Sequence, residues 1–352
     1  MSNIDTRILE EGKKFKQRIE AACCAFNSET NARVRTMDAG RALDRATGEE
    51  VLRHILAEIK SEPLVKGGYA YHQGIRETAD IDLLYMRAIE DWEFERAFTV
   101  MAPRLAEKGI ALTGFDRKAQ VINTNGQLVH RYNFSVQVGP STVKNHVDVT
   151  WGGPKKFPRH KQTKRHGSTF YAKQEPTFAH YQSFESQAAD KLLSALTPTI
   201  GRWKDYSDLS LLAGMSLDHN IVAAELLAKF LAAGHSYDDI MAFLIEQPET
   251  LSYDFTMDKA GSLEKVLSKY GPTSDKLDAM QVFIDVRDFY QKIRYIIGAA
   301  RIRKLEGKNP TIDEVKKAFR QAQADKDEGK KVVTLSDYRL RTGADLPSQL
   351  KR

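Results

Sequence analysis

The chain has 352 residues, a length that at about 150 residues per domain predicts roughly two domains with a sizeable buried core. Lys and Arg together number 53 against 47 for Asp and Glu, so the net charge of +6 permits a nucleic-acid partner without implying one. No apolar run approaches the ~20 residues of a bilayer span, and residues 1–17 lack the apolar core of a secretory signal, so neither a membrane protein nor a secreted one is expected.

Residues 1–62 are predicted to form leading helices. Apolar residues recur at helical spacing from 6 to 26 and again from 48 to 59, with charged residues between them. Cys23 and Cys24 are adjacent, so a disulfide between them would be strained and a four-cysteine zinc site is impossible. This cysteine usage favours a reducing cytoplasm.

Residues 63–170 are predicted to form a mixed α+β domain. Short apolar segments alternate here with Gly, Pro, Asn and Thr, which is typical of strands and turns. In one of them, residues 128–138, side chains alternate between two faces and Gly139-Pro140 follows, which predicts an antiparallel hairpin. Residues 92–108 carry helical spacing instead. The apolar segments span residues 64–65, 81–85, 128–138 and 143–151.

Residues 171–330 are predicted to be an α-helical domain, followed by a tail, residues 331–352, without a clear pattern. The stretch from 154 to 166 that leads into this domain is polar, with eight basic or potentially basic residues between Lys155 and His166. Helical spacing then recurs in residues 184–196, 206–214, 219–233, 237–246, 263–269, 276–301 and 312–324.

Paired glycines follow the first predicted strand, in Leu64-Val65-Lys66-Gly67-Gly68-Tyr69. A strand that turns tightly into a helix through such glycines leaves bare backbone N–H groups, which hold phosphate oxygens without side-chain obstruction. Gly67 and Gly68 are therefore candidates for a phosphate-binding turn. A lone Gly-Gly is more often only a turn.

Two carboxylates follow at Asp80 and Asp82, and a third lies at Asp148 between two valines. Residues two apart in a strand face the same way, so Asp80 and Asp82 share one face. They repel each other unless a cation lies between them, and Mg²⁺ prefers hard oxygen ligands together with substrate phosphates. With Asp148 in the right register, three carboxylates would suit metal-assisted phosphoryl or nucleotidyl transfer. An isolated Asp-x-Asp is more often a solvated strand end.

The order of four segments is more specific than any one of them. They are Lys66-Gly67-Gly68, Thr78-Ala79-Asp80-Ile81-Asp82-Leu83, Ala188-Ala189-Asp190-Lys191-Leu192-Leu193-Ser194-Ala195-Leu196 and Arg202-Trp203-Lys204-Asp205-Tyr206-Ser207-Asp208-Leu209. Together they resemble the motifs of the nucleotidyltransferase superfamily that includes polymerase beta, and in particular its AbiEii/AbiGii branch of minimal nucleotidyltransferase toxins. The resemblance implies a polymerase-beta-like fold with a small mixed sheet, followed by an α-helical C-terminal domain.

The resemblance also implies a nucleotidyltransferase that uses a nucleoside triphosphate (NTP) and Mg²⁺ and acts as the toxin of a toxin–antitoxin or phage-defence pair. Members of this family transfer nucleotides onto tRNA acceptor ends, so an RNA acceptor and a cognate antitoxin are expected partners. By position, the implied roles are triphosphate binding for Lys66, Gly67 and Gly68, metal binding for Asp80 and Asp82, phosphate contact for Lys191 and late catalytic aspartate for Asp205.

Two positions depart from the family pattern. Tyr69 stands where a Ser or Thr commonly follows the paired glycines, which puts the hydroxyl contact to the phosphates in doubt. Thr78-Ala79 stand where a Ser or Glu is common. Neither departure touches the predicted metal ligands.

The last motif has a functional and a plainer interpretation. Asp205 and Asp208 are three apart and share a helix face, Lys204 beside them can orient a carboxylate or a phosphate, and Arg202 is a further candidate. The plainer interpretation is an exposed helix start, in which the helix dipole favours Asp205. Lys191, among Ala and Leu residues, can equally be a snorkelling lysine, although its family position favours function.

Three functions stay open at this point. The first is nucleotidyl transfer to a hydroxyl, with RNA as the expected acceptor. The second is a non-catalytic protein that holds nucleic acid or a partner through the basic stretch 154–166, which is otherwise a solvated linker. The third is modification of a protein or small-molecule hydroxyl, because the fold does not choose between acceptors.

Overall fold

The computed structural model describes residues 5–29, 39–70, 80–122, 128–151, 163–166, 178–196, 203–232, 240, 249–270 and 278–299. The chain forms two compact units. The first consists of the residues up to Ser183 together with residues 270–276, and the second of the remaining residues from Phe184 onward. Within the described residues, no helix is both long enough and apolar enough to cross a bilayer.

The first unit is built on a seven-stranded mixed sheet with the strand order β3-β4-β5-β2-β1-β7-β6. β2 pairs with β5, and β1 with β7, in parallel, and the other neighbours are antiparallel. The predicted hairpin is confirmed as β4 and β5. The strands are β1 (Leu64–Lys66), β2 (Ile81–Tyr85), β3 (Ile110–Ile122), β4 (Leu128–Val138), β5 (Ser141–Trp151), β6 (Thr163–His166) and β7 (Phe178–Tyr181).

Three helices cover one face of this sheet: α1 (Thr6–Glu29), α2 (Ala39–Glu58) and α3 (Asp91–Glu107). Alternate strand residues, such as Ile81, Leu83 and Val147, join helix residues in one buried cluster. The strand positions between them project to the opposite face, where Asp82 and Asp148 lie. The pleat therefore separates an apolar core face from a face that bears charged side chains.

Glycines allow α1 to approach the turns at the edge of the sheet closely. A Cβ atom on Gly12 would lie 2.3 Å from the backbone nitrogen of Gly139 and 2.6 Å from the carbonyl oxygen of Gly109. Gly109 and Gly139 lie in the turns that follow α3 and β4, and their φ angles are positive, 78° and 54°. The helix thus meets the two turns backbone to backbone.

The second unit is helical in its described residues, as predicted. Its helices are α4 (Phe184–Leu196), α5 (Trp203–Ala213), α6 (His219–Ala232), α7 (Tyr253–Tyr270) and α8 (Ala279–Ala299). Trp203 and Tyr206 of α5 contact Phe283 of α8, with ring centroids 6.3 and 5.3 Å apart. The predicted helix at 312–324 lies outside the described residues, as does that at 237–246 except for residue 240, which is helical.

The α+β prediction, with a mixed sheet followed by a helical region, is confirmed, but some elements differ in extent. β3, β6 and β7 were not predicted as strands, and α2 begins nine residues before the predicted start at residue 48. The sheet continues to Tyr181, whereas the predicted core domain ended at residue 170, and the two units separate after Ser183. In the basic stretch 154–166, residues 163–166 form β6, and the others lie outside the described part.

Candidate active site

A row of four charged residues crosses the middle of the sheet on the face away from the helices. Lys66 of β1 lies opposite Asp82 of β2, Asp82 opposite Asp148 of β5, and Asp148 opposite Arg131 of β4. Residues directly opposite in paired strands project to the same side. The structure thus places Asp148 in the register that the sequence left open. We call Lys66, Asp82, Asp148 and Arg131 the charged row.

Asp80 and His146 lie beside the charged row. Asp80 immediately precedes β2, and 59% of its side chain is exposed. The His146 Nε2 atom is 3.8 Å from an oxygen of Asp80 and 3.8 Å from an oxygen of Asp148. His146 is two residues from Asp148 in β5, so both project from one face. The three predicted carboxylates are therefore gathered around one end of β2, and His146 was not predicted as a site residue.

Arg131 holds Asp148 in a two-pronged ion pair. Its Nε and Nη2 atoms donate to the two carboxylate oxygens over 2.7 and 2.6 Å. The hydrogen bond to Asp148, opposed by burial, raises the pKa of the Arg131 guanidinium above its usual value. A fork of this kind fixes the plane of the carboxylate as well as neutralising its charge. Arg131 was missed in the sequence because a strand pairing, not a motif, brings it to Asp148.

The paired glycines form the turn that follows β1. Gly67 has a φ angle of +61°, and a Cβ atom there would lie 2.1 Å from a carboxylate oxygen of Asp82. Only glycine fits this position without displacing the aspartate. Residues Gly67–Ala70 form a 3₁₀ turn, and the rest of the predicted helix, with Thr78-Ala79, lies outside the described residues. The turn and the Asp82 carboxylate are thus in direct contact.

Arg45 of α2 holds the glycine turn in place from the side of the core. Its Nη1 and Nη2 atoms donate to the carbonyl oxygens of Gly68 and Tyr69, each over 3.1 Å. Its Nε donates to Glu49 over 3.0 Å, and its guanidinium lies 3.7 Å from the centroid of the Tyr69 ring. All these groups are buried. Arg45 consequently uses its whole guanidinium on the turn and on its own helix.

The Tyr69 side chain points into the core. It is 2% exposed, and its hydroxyl donates to the carbonyl oxygen of Arg45 over 2.9 Å. Gly48 makes room for it, since a Cβ atom there would lie only 1.9 Å from that hydroxyl. Tyr69, which replaces the Ser or Thr common at this position, therefore anchors the turn to α2. Its hydroxyl is engaged in the hydrogen bond to Arg45.

The second unit contains an ion-pair cluster of its own, formed by Lys191, Asp205 and Asp208. The Lys191 Nζ atom is 2.5 Å from an oxygen of Asp205 and 3.2 Å from an oxygen of Asp208. The side chain of Asp208 is fully buried, and those of Lys191 and Asp205 are 16% and 13% exposed. Helices α4 and α5 are joined by this cluster. Arg202 lies outside the described residues, and Lys204 is partly buried in the first turn of α5.

A second partly buried lysine, Lys229, lies on α6 of the same unit. Lys229 Nζ is 2.7 Å from Asp190 and 3.9 Å from Glu225, and Glu225 accepts a hydrogen bond from Ser186 over 3.2 Å. Burial lowers the pKa of Lys229, but the two carboxylates outweigh it and leave that pKa above the usual value. This group, which the sequence did not indicate, stabilises the packing of α6 on α4.

The donor set of the first unit suits a hard divalent cation. Among the described residues, no three His, Cys, Asp or Glu side chains are arranged to hold a metal ion by themselves. Asp80 and Asp82 offer carboxylate oxygens near the glycine turn, and Mg²⁺ is commonly held by one or two carboxylates plus phosphates of the substrate. The residues fit a cation that binds together with a nucleotide.

Comparison with known proteins assigns the chain to a family. The sequence profile described as Nucleotidyl transferase AbiEii toxin, type IV TA system, matches residues 50–292, more than half of the chain. This range includes the glycine turn, all three carboxylates and the ion-pair cluster of the second unit. No curated protein matches the sequence.

Solved structures with a similar course of the chain include two bacterial proteins. MenT4, nucleotidyltransferase toxin Rv2826c from Mycobacterium tuberculosis H37Rv, has 12% identity and a TM-score of 0.47, over 83% of this chain and 94% of that one. JHP933 from Helicobacter pylori has 12% identity and a TM-score of 0.44, over 81% of this chain and 98% of that one. Similarity at this level adds nothing to the family profile.

Proposed function

Because the chain belongs to the AbiEii family of nucleotidyl transferase toxins, it is a nucleotidyltransferase, and we propose that it transfers a nucleoside monophosphate from an NTP to a hydroxyl of RNA, with tRNA as the acceptor. The observation that carries this proposal is the juxtaposition of Asp82 with the Gly67 turn. A carboxylate and a bare backbone turn in contact provide a metal ligand beside a place for phosphates.

The proposed metal ligands are Asp80 and Asp82, with Asp148 as the third candidate. Asp80 is 59% exposed and Asp82 contacts the glycine turn, whereas Asp148 lies in the fork of Arg131. A bound Mg²⁺ would supply charge that stabilises the phosphoryl group during transfer and lowers the pKa of an attacking hydroxyl. This donor chemistry supports Mg²⁺ and an NTP as cofactor and co-substrate.

The triphosphate is proposed to lie over the glycine turn. The backbone of Gly67 and Gly68 carries no side chain that would obstruct it, and Lys66 adds a positive charge at the end of β1. Arg45 and Tyr69 hold the turn from the core, so that its backbone is oriented before the substrate arrives. The chain's own residues therefore bind and orient the donor, and the departing pyrophosphate leaves from the same place.

Lys191, Lys204 and Asp205 are proposed to contribute to nucleotide binding and transfer, in the roles that the family resemblance implies, with Arg202 and Asp208 as further candidates. The ion-pair cluster makes Lys191 a residue of fixed position, since two carboxylates hold its ammonium group. A lysine so fixed keeps its direction.

The acceptor and the partners follow from the family. A toxin of a toxin–antitoxin system acts inside the cell that makes it, so we propose the cytoplasm as its place of action and a cognate antitoxin as its partner. Cys24 is an exposed free thiol, which fits a reducing compartment. The basic stretch 154–166 is proposed as the contact with the RNA backbone.

A transfer assay tests the proposal. Purified protein is incubated with Mg²⁺, total tRNA and each of the four α-labelled NTPs in turn, with Asp80→Ala as the control. We expect label on tRNA from one preferred nucleotide, and none with Asp80→Ala. Label on protein instead would favour nucleotidylation of a protein hydroxyl. Salt-sensitive RNA binding without any transfer, unchanged by Mg²⁺ or by Asp82→Ala, would favour a binding protein.

A further inference from the structure

Arg131 is the one residue of the charged row that was not a candidate from the sequence, and its contacts distinguish it from Lys66 at the other end. Both carboxylate oxygens of Asp148 accept from it, over 2.7 and 2.6 Å. The Arg131 side chain is 31% exposed and that of Asp148 is 17% exposed. The pair is therefore partly exposed to solvent, and ions can reach it.

The position of this pair explains why Asp148 needs a counter-ion. Asp148 lies directly opposite Asp82 in the parallel pairing of β2 and β5, and His146 lies 3.8 Å away from it. Two carboxylates on neighbouring strands repel each other, and a positive charge beside either one removes most of the cost. A guanidinium and a divalent cation can both act as the counter-ion of Asp148. When Arg131 donates to both oxygens of this carboxylate, however, neither oxygen is open to a cation.

We infer that Arg131 is a positioning residue that occupies the cation side of Asp148 in the nucleotide-free protein, so that Arg131 and a divalent cation compete for this carboxylate. The inference rests on the proposed function, because it concerns the same metal site. Arg131 would keep Asp148 aligned with Asp82. It would also prevent a free metal ion from binding before a nucleotide arrives with its own bound metal ion. Metal and nucleotide would then bind together.

The test measures Mn²⁺ binding without nucleotide, by electron paramagnetic resonance of the free ion, in the full-length protein. Arg131→Met removes the competing charge and should tighten Mn²⁺ binding about tenfold. Asp148→Asn in the Arg131→Met protein should abolish that gain. Arg131→Lys, which keeps the charge but loses the fork, should give an intermediate affinity.

Lys144→Met is the matched control for the loss of one positive charge. Lys144 lies in β5 opposite Ser135, four residues from Asp148 and on the same face of the sheet. At that separation the salt of the buffer screens most of its effect on the carboxylates, so Mn²⁺ affinity should change less than about twofold. A comparable gain in Lys144→Met and Arg131→Met would overturn the inference, because it would reflect overall charge alone.

A thermal denaturation series provides a second readout. Arg131→Met should melt below the wild type in metal-free buffer and recover with Mn²⁺, because a ligand that binds the folded state stabilises it. Wild-type Mn²⁺ affinity in a folded Arg131→Met protein would contradict the competition. If the wild type transfers no nucleotide while Arg131→Met still gains Mn²⁺ affinity, the competition stands and the proposed function falls.

Discussion

Acidic side chains are treated in opposite ways in the two units of this protein. In the sheet unit, Asp80 is 59% exposed, and Asp82 abuts a glycine turn with no side chain. In the helical unit, Asp205 and the fully buried Asp208 surround the single ammonium group of Lys191. The first arrangement leaves the Asp80 carboxylate exposed to solvent and to a ligand, and the second engages both carboxylates within the protein.

This difference separates carboxylates that stabilise the fold from carboxylates that are placed to bind a ligand. A buried carboxylate without its partner costs several kcal/mol, so the helical unit depends on its lysine. Neighbouring carboxylates on a sheet face destabilise the protein slightly and persist where a ligand uses them. Loss of a charge partner in the helical unit should therefore cost more stability than loss of Asp80 or Asp82 in the sheet unit.

The largest loss of stability is expected from Lys191→Met. It leaves Asp205 and Asp208 without the ammonium group that lies between them, and breaking such a buried pair costs about 3–5 kcal/mol. Urea denaturation measures the loss. Lys259→Met, which removes an exposed lysine from the same unit, is the control and should cost less than about 0.5 kcal/mol. Equal midpoints for the two variants would erase the contrast between the units.

A smaller loss is expected from Gly12→Ala in the sheet unit. The new methyl group would meet backbone atoms of Gly139 and Gly109 at 2.3 and 2.6 Å, and backbone cannot rotate away as a side chain can. Such overpacking typically costs about 1–3 kcal/mol. Gly261→Ala is the matched control, because no atom lies within 4 Å of its added Cβ. A Gly12→Ala protein as stable as Gly261→Ala would show that α1 is not seated as described.

Tyr69→Phe should have a milder effect. The substitution removes the buried hydrogen bond from the hydroxyl to Arg45 and leaves the ring under the guanidinium, at a cost of about 1 kcal/mol. Thermal melts give the change in stability, and the KM for the NTP should rise while kcat changes little, since the turn loses one of its anchors. A fall in kcat at unchanged KM would mean that the hydroxyl acts in the reaction itself.

The smallest effect on stability is expected from Asp82→Asn. The amide keeps the shape of the side chain and removes one of the adjacent negative charges, so the free energy of unfolding should stay within about 0.5 kcal/mol of the wild type. Urea denaturation beside Lys191→Met completes the comparison. A loss of several kcal/mol would show that Asp82 is a structural residue.

Alternation and motif order predicted much of the sheet unit. The hairpin of β4 and β5 follows from period-two patterning around Gly139, and the paired glycines precede the Asp80 strand as expected. β3 was missed because its pairing with β4 shifts register between Leu112 and Gly114 and again between Lys118 and Val121. Such shifts break the alternation that reveals a strand.

The residues that support the site were not predictable from the sequence. Arg131 reaches Asp148 through a strand pairing, and Arg45 of α2 reaches Gly68, which lies 23 residues later in the chain. Neither contact leaves a pattern in the chain, because arginines are common on helices and strands alike. The charged row becomes visible only once the register of four strands is known.

Nucleotidyl transfer by Asp80→Ala tests the central claim most directly. With the preferred α-labelled NTP, Mg²⁺ and tRNA, and with variant and wild type shown to melt at the same temperature, we predict a loss of labelled RNA of at least about 100-fold. Labelled RNA at the wild-type rate from a folded Asp80→Ala protein would contradict the assignment of the active site to the carboxylates around β2.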